Sequence, residues 1–247
     1  YYTVSSGRLM HYITTNVSKD SYGSKLDNGP APSYLKEGTK YYSYDGHYFY
    51  TYSNFDSMIS DYNNGTRTNS VNPNSPYFNY YQYLPLRSKT NYSASEMNDM
   101  INAKTDSDSK MRNIGNDLVT DQNTYGVNAL IMTGVAANES AWGSSNIAQS
   151  KNNVFGLNAV DASPGESANY YSDVATCIKD FAETYMSKRY LRSGYTYYKG
   201  AFLGNKASGI NVHYASDPYW GEKAANVAWN LDNNNGQKDY EKYTIGI

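Results

Sequence analysis

One carboxylate stands where an apolar helical pattern runs out into Gly/Ser/Asn-rich sequence: Glu139, in Ala136-Ala137-Asn138-Glu139-Ser140-Ala141-Trp142-Gly143-Ser144-Ser145, followed by Asn152-Asn153-Val154-Phe155-Gly156. Upstream, Val127, Leu130, Ile131, Gly134 and Val135 follow the i, i+3, i+4, i+7, i+8 spacing of one helix face, and Glu139 lies one turn beyond Val135 on that face. The spacing puts the carboxylate at the edge of a core. Partial desolvation and the negative end of the helix dipole both disfavour its charged form, so both raise its pKa. A carboxyl group so shifted suits proton donation near neutrality, which is worth about 10²–10⁴-fold in rate. Spacing alone equally allows a glutamate that frays into solvent at a helix end.

The elements that must position Glu139 are helical from residue 93 onward. Ser93-x-x-Glu96 is a capping box with Met97, Met100 and Ile101 as the buried face behind it. Met111, Ile114, Leu118 and Val119 predict the next helix, and the Glu139 helix comes third. Residues 155–172 are irregular, with Pro164-Gly165. Ser172-Asp173 then opens a helix whose stripe is Val174, Cys177, Ile178, Phe181, Ala182, Tyr185 and Met186. Asp217 as N-cap with Pro218 at the first helical position predicts a last helix through Ala224, Ala225, Ala228 and Leu231.

Before residue 92 the composition is Tyr/Asn/Ser/Gly-rich and strand-like. Residues 40–44 and 47–52 flank Asp45-Gly46, a two-residue hairpin turn. A short helix is expected at 55–62, and residues 63–76, with Gly65, Pro73 and Pro76, read as a loop. The expected organisation is a Tyr-rich, partly β N-terminal subdomain over 1–92, packed on a catalytic domain over 93–247.

Composition narrows the function classes. A formal net charge of −2 gives no basic footprint for nucleic acid, and no apolar run approaches the length that spans a bilayer. Cys177 is the only cysteine, so there is no intrachain disulfide framework, and its place on an apolar stripe makes it a packing residue. His11, His47 and His213 are far apart, without the spacing of a metal site. The 29 tyrosines suit half-exposed strand positions, and a few suffice for stacking on sugar faces. The chain opens on Tyr1-Tyr2 with no initiator methionine or signal peptide, so it is expected to be a portion of a longer protein.

Glu-Ser-x-Trp-Gly-x-Ser with Asn-x-Phe-Gly and Ala159, then Tyr214-Ala215-Ser216-Asp217-Pro218 with Tyr219-Trp220, resembles the lysozyme-like N-acetylglucosaminidases of bacterial autolysins, glycoside hydrolase family 73. A third block, Tyr41-Tyr42-Ser43-Tyr44-Asp45-Gly46 with Tyr80-Tyr81-Gln82-Tyr83-Leu84-Pro85-Leu86-Arg87-Ser88-Lys89-Thr90-Asn91-Tyr92, is similar to the region that precedes the glutamate in large autolysin glucosaminidases. The chain departs from the shorter enzymes of the family in having Tyr219-Trp220 after Asp217-Pro218.

The resemblance implies an α+β, mainly α fold: a lysozyme-like helical core with a small β lobe in the irregular span 155–172. It implies Glu139 as general acid and Tyr214 close to it, orienting the substrate's acetamido group or the attacking water, although Tyr214 alternatively staples its segment to the last helix. Asn153 and Phe155 are expected to line the cleft, with Ser140 and Trp142 as further substrate-binding candidates; for Trp142, packing beneath the helix end is the preferred reading. Glycoside hydrolysis also needs a group to stabilise or attack the oxocarbenium-like centre. Glu166, Asp161 and Asp173 are the candidates, Glu166 first, against the plainer reading of a solvated loop carboxylate; the substrate's 2-acetamido group is the alternative. Asp217 is read as a helix cap. The implied partner is peptidoglycan glycan, cut between N-acetylglucosamine and N-acetylmuramic acid in wall turnover or daughter-cell separation. The implied protein is a secreted, wall-associated monomer without metal or cofactor. Rival readings are a lytic transglycosylase or muramidase of the same fold, and a non-catalytic wall-glycan-binding module.

Overall fold

Ser6 and Gly7 both hold positive φ, 53° and 72°, the two-residue turn whose twist matches an antiparallel hairpin. They join β1 (Tyr2–Ser5) to β2 (Arg8–Ile13), and the Glu37 carboxylate accepts both turn amides, at 2.7 and 3.1 Å. With β3 (Ser24–Pro30), β4 (Lys40–Tyr42) and β5 (Tyr50–Thr51) these strands form an antiparallel sheet of order β3-β2-β1-β4-β5. The strand period of two turns Tyr2, Val4, Leu9 and His11 inward, where Tyr2 stacks on His11 with ring centroids 4.0 Å apart.

The computed structural model describes residues 1–16, 23–159 and 164–245, and two units are compact, Tyr1–Asn79 and Tyr80–Ile247. In the first, the expected tight hairpin at Asp45-Gly46 is replaced by a longer connection, because Tyr42 pairs with Tyr50 and Tyr41 with Thr51. The cause is local: Asp45 Oδ1 accepts from the Ser43 hydroxyl and from the amides of His47 and Tyr48, which folds residues 43–49 around the side chain instead of into a ladder. The helix expected at 55–62 is α1 (Phe55–Asn64). Its buried Asp61 accepts from Tyr50, Thr66, Thr68 and Asn69, and although burial pushes its pKa up, these bonds prevail and hold it at about 2.

The second unit starts with α2 (Tyr80–Tyr83), so the composition change near residue 92 lies inside it. The capping box opens α3 (Ala94–Asn102), with both reciprocal bonds formed. The helix expected from Met111 is α4 (Gly115–Tyr125); Met111 and Ile114 are buried but precede it, and Asn113 at φ 60° interrupts the helical path. Asn128 caps α5 (Ala129–Ser140) through the amides of Leu130 and Ile131. Residues 129–137 are buried on every side, so α5 is the central core helix. Gly134 is required there: a Cβ would lie 2.5 Å from the Ala224 carbonyl oxygen of the helix that crosses it.

That crossing helix is α10 (Trp220–Asn233). It begins later than the Asp217-Pro218 pattern predicts. Asp217 does not cap it; its Oδ1 accepts the Tyr219 amide at 2.9 Å, and its carbonyl accepts the Trp220 amide, forming a turn ahead of the helix. Between α5 and α10 lie α6 (Asn146–Lys151), α7 (Pro164–Ser167), α8 (Val174–Asp180), a π-helix (Phe181–Tyr190) and α9 (Asn211–Tyr214). Asp173 caps α8 through the Thr176 amide, as expected.

The β lobe expected within 155–172 is absent among the described residues, which hold a short helix and turns. The buried Asn153 side chain explains this: its Nδ2 donates to the Leu157 and Asn169 carbonyls and its Oδ1 accepts the Leu157 amide, so groups that would enter a ladder are already satisfied. Among the described residues, no helix is long and apolar enough to cross a membrane.

Candidate active site

The end of α5 is built by three consecutive residues with positive φ: Ala141 at 48°, Trp142 at 56° and Gly143 at 79°. L-residues resist this conformation by about 1–2 kcal/mol each, so the surroundings must impose it. Ser140 Oγ donates to the Ala136 carbonyl at 2.6 Å and accepts the Gly143 amide at 2.8 Å. Ser109 Oγ donates to the Trp142 carbonyl at 2.6 Å, and Gln149 Nε2 to the Gly143 carbonyl at 2.8 Å. The sharp stop fixes the last turn of α5, and with it Glu139.

Glu139 lines a cleft of about 1180 Å³. Trp220, the first residue of α10, donates its indole N–H to Oε1. On the other side Gly156, at φ 61°, brings bare backbone against the carboxylate: a Cβ there would lie 3.0 Å from Oε2. Burial pushes the Glu139 pKa up, the Trp220 bond pulls it down, and the nearby charge of Asp217 pushes it up; the net shift is upward.

Tyr214 closes the same wall. Its hydroxyl donates to the Phe155 carbonyl at 3.3 Å, and its ring lies 4.8 Å from Trp220 and 5.5 Å from Tyr190. Burial, then the charge of Glu139, hold its pKa well above the ordinary phenol value. Phe155 is buried and stacks on Phe181 at 3.9 Å, with planes 2° apart. The π-helix adds Tyr185, Arg189 and Tyr190 to the lining, and Tyr195, Lys206 and Lys223 extend it. Aromatic faces beside a proton donor fit a sugar chain.

Residues 115–233 match a glucosaminidase family model, described as mannosyl-glycoprotein endo-beta-N-acetylglucosaminidase. Over those residues the chain is similar to that glucosaminidase family. Two Streptococcus pneumoniae proteins, provisionally named endo-beta-N-acetylglucosaminidases, are each 35% identical over 242 residues. Those matches cover 97% of this chain but 31% and 29% of the relatives, so the chain spans about a third of their length. Among solved structures, Autolysin E of S. aureus aligns with TM-score 0.52 and 23% identity over 68% of this chain and 78% of that one. A catalytic mutant of the same protein, with alanine in place of a glutamate and in complex with the disaccharide NAG-NAM, gives 0.51 and 21% over 67% and 78%. At these identities the likeness is one of fold.

Within residues 115–233, Glu139, Phe155 and Tyr214 meet in one cleft, whereas other residues singled out from the sequence lie elsewhere. Asn153 is buried beneath the cleft wall and Ser140 inside the helix stop. Trp142 packs partly buried against the core, the preferred reading of the two. Glu166 is exposed on α7 and outside the cleft lining. Asp173 is the α8 cap, held below the usual carboxylate range by its bonds to Thr176, and Asp161 lies outside the described residues. The second carboxylate in the lining is Asp217, its Oδ2 2.6 Å from Lys223 Nζ. Cys177 is buried, which pushes its thiol up to about 12 and leaves it an unreactive packing group. Among the described residues, no cluster of three or more His, Cys, Asp or Glu is placed to hold a metal ion. Trp220 also bonds directly to Glu139, a contact between residues 81 positions apart that no local pattern could disclose.

Proposed function

We propose that the chain is an endo-β-N-acetylglucosaminidase that hydrolyses the β-1,4 bond between N-acetylglucosamine and N-acetylmuramic acid in peptidoglycan, with Glu139 as general acid. The observation that carries this is the desolvated Glu139 carboxyl, its Oε1 held by Trp220, at the wall of an aromatic-lined cleft. Protonated, it donates to the leaving glycosidic oxygen as the C–O bond breaks and positive charge grows at the anomeric carbon. Asp217 is engaged by Lys223 and the Tyr219 amide, and Glu166 stands outside the lining. The substrate's own 2-acetamido oxygen is therefore the group we assign to the anomeric carbon, with Tyr214 orienting it, before water completes hydrolysis. The whole protein acts on the cell wall outside the cell, in wall turnover or daughter-cell separation; autolysin fold neighbours support this wider role.

Mass spectrometry of muropeptides released from purified peptidoglycan, with borohydride reduction to mark new reducing ends, tests the reading. Reduced N-acetylglucosamine ends that vanish in Glu139→Gln are expected. Reduced muramic acid would indicate a muramidase, anhydro-muramic acid a lytic transglycosylase, and no release a binding module.

Two further outcomes follow from the site geometry. The Trp220 bond favours the ionised form of Glu139, so Trp220→Phe raises its pKa, keeps the acid protonated to higher pH, and moves the descending alkaline limb of the kcat/KM profile upward. A limb that stays in place or moves to lower pH would remove Trp220 from the tuning of Glu139. In Gly156→Ala, the added methyl group meets Oε2 and the residue must keep φ 61°. A displaced acid is expected to lower kcat about tenfold, within the roughly 10²-fold that a 1 Å misplacement can cost; unchanged kcat would show that the carboxylate has room to yield.

A further inference from the structure

Five side chains of fixed charge type line the cleft, and their partners differ. Lys223 is spent on Asp217, 2.6 Å away. Lys206 Nζ donates to the Asn211 carbonyl at 2.9 Å and to the Ala215 carbonyl. Arg189 is exposed, and among the described residues its guanidinium meets no carboxylate or carbonyl; it lies over the Tyr185 ring, 5.1 Å from the centroid. With Glu139 protonated for its role as acid, the cations of Lys206 and Arg189 face no compensating carboxylate in the lining. The cleft is thus locally positive in a chain of net charge −2.

Arg189 belongs to an unusual backbone segment. Residues Phe181–Tyr190 form a π-helix, and its wide register is visible in the Leu191 amide bonding to the Met186 carbonyl at 2.9 Å, five residues back. Such segments are rare and recur at functional sites. Within this one Arg189 lies over the Tyr185 ring, and both side chains line the cleft. A planar five-donor fork lying over an aromatic ring is matched to a carboxylate, which it binds bidentately.

We propose that Arg189 is a specificity-determining residue that binds a carboxylate on the glycan, so that the cleft prefers acid-bearing sugar chains to neutral ones. The inference rests on the glycan-hydrolase reading of the same cleft. In a chain containing muramic acid, the carboxylate is the free lactyl acid where the peptide has been removed, or an acid of the stem peptide where it remains. An oligomer of N-acetylglucosamine alone offers neither.

The test is titration calorimetry on the Glu139→Gln protein, combined with native Arg189, Arg189→Gln or Arg189→Lys. Its probes are a peptide-free N-acetylglucosamine/N-acetylmuramic acid tetrasaccharide, the same glycan amide-linked to an L-Ala-D-Glu stem, and chitotetraose. Arg189→Gln is expected to lower the ratio of affinity for the acidic glycan over chitotetraose about tenfold, and Arg189→Lys to restore part of it. Loss confined to the peptide-free probe assigns the lactyl acid, and loss confined to the stem-bearing probe assigns a stem carboxylate. A loss equal on chitotetraose, or none on any probe, overturns the proposal. The readout needs no turnover. Discrimination that survives a failed muropeptide assay would therefore sink the catalytic reading and leave this one standing.

Discussion

Glu139→Gln is expected to lower kcat for glycan hydrolysis about 10³-fold, inside the 10²–10⁴ range for a general acid, with little change in KM. Glutamine keeps the volume and still offers a carbonyl oxygen to the Trp220 indole, so the contact at Oε1 survives while the transferable proton does not. The same substitution has a stability signature of known sign. Burial raises the folded-state pKa of Glu139 above its unfolded value, so between those two values the folded protein binds more protons than the unfolded one. Wild-type stability therefore falls as pH rises through that window, whereas glutamine has no proton to lose. Thermal unfolding at pH 4 and pH 8 should show the Tm of the variant gaining on wild type at the higher pH. Full activity in the variant would remove Glu139 from the chemistry, and a Tm difference independent of pH would contradict the buried setting.

Glu139 was legible because its place depends on local periodicity: four residues past Val135 on a stripe that does pack as the core helix. Tyr214 and Phe155 came from the resemblance, and both reach the cleft. What failed did so where side chains competed with backbone patterns. Asp45 and Asn153 satisfy backbone groups that a hairpin and a β lobe would have used. Asp217-Pro218 has the residues of a helix start, yet the aspartate is drawn to the Tyr219 amide and to Lys223, and the helix begins at Trp220. The stripe from Val174 to Met186 signals a helix, but nothing in its spacing announces the wider π register that begins at Phe181. Long-range polar contacts leave no periodic trace at all, and the Trp220–Glu139 bond is one of them.

The tyrosines at the start of the second unit are the other case, and they carry the largest expected effect on stability. Asp232, fully buried on α10, accepts from the Tyr81 hydroxyl at 2.5 Å, the Tyr92 hydroxyl at 2.6 Å, the Tyr240 amide at 2.9 Å and the Asp239 amide at 3.2 Å. One side chain thus joins the segment after Asn79 and the C-terminal segment to the helix that begins with Trp220. Asp232→Ala takes the acceptor from the Tyr81 hydroxyl and two amides and leaves the Tyr92 hydroxyl only its 3.3 Å contacts to the Asp232 and Asn235 carbonyls, and the expected loss is about 3–5 kcal/mol, the range for removing one partner of a buried charged network. That is a large share of the roughly 5–15 kcal/mol that holds a domain folded. Urea unfolding measures it, and a loss below about 1 kcal/mol would show that water or rearrangement replaces the carboxylate. Tyr81→Phe and Tyr92→Phe each remove one donor and leave the others satisfied, so each should cost near 1 kcal/mol. In the Asp232→Ala background the same changes should cost much less, since the hydroxyls have already lost their short bonds to the carboxylate; that coupling separates a shared network from four independent bonds.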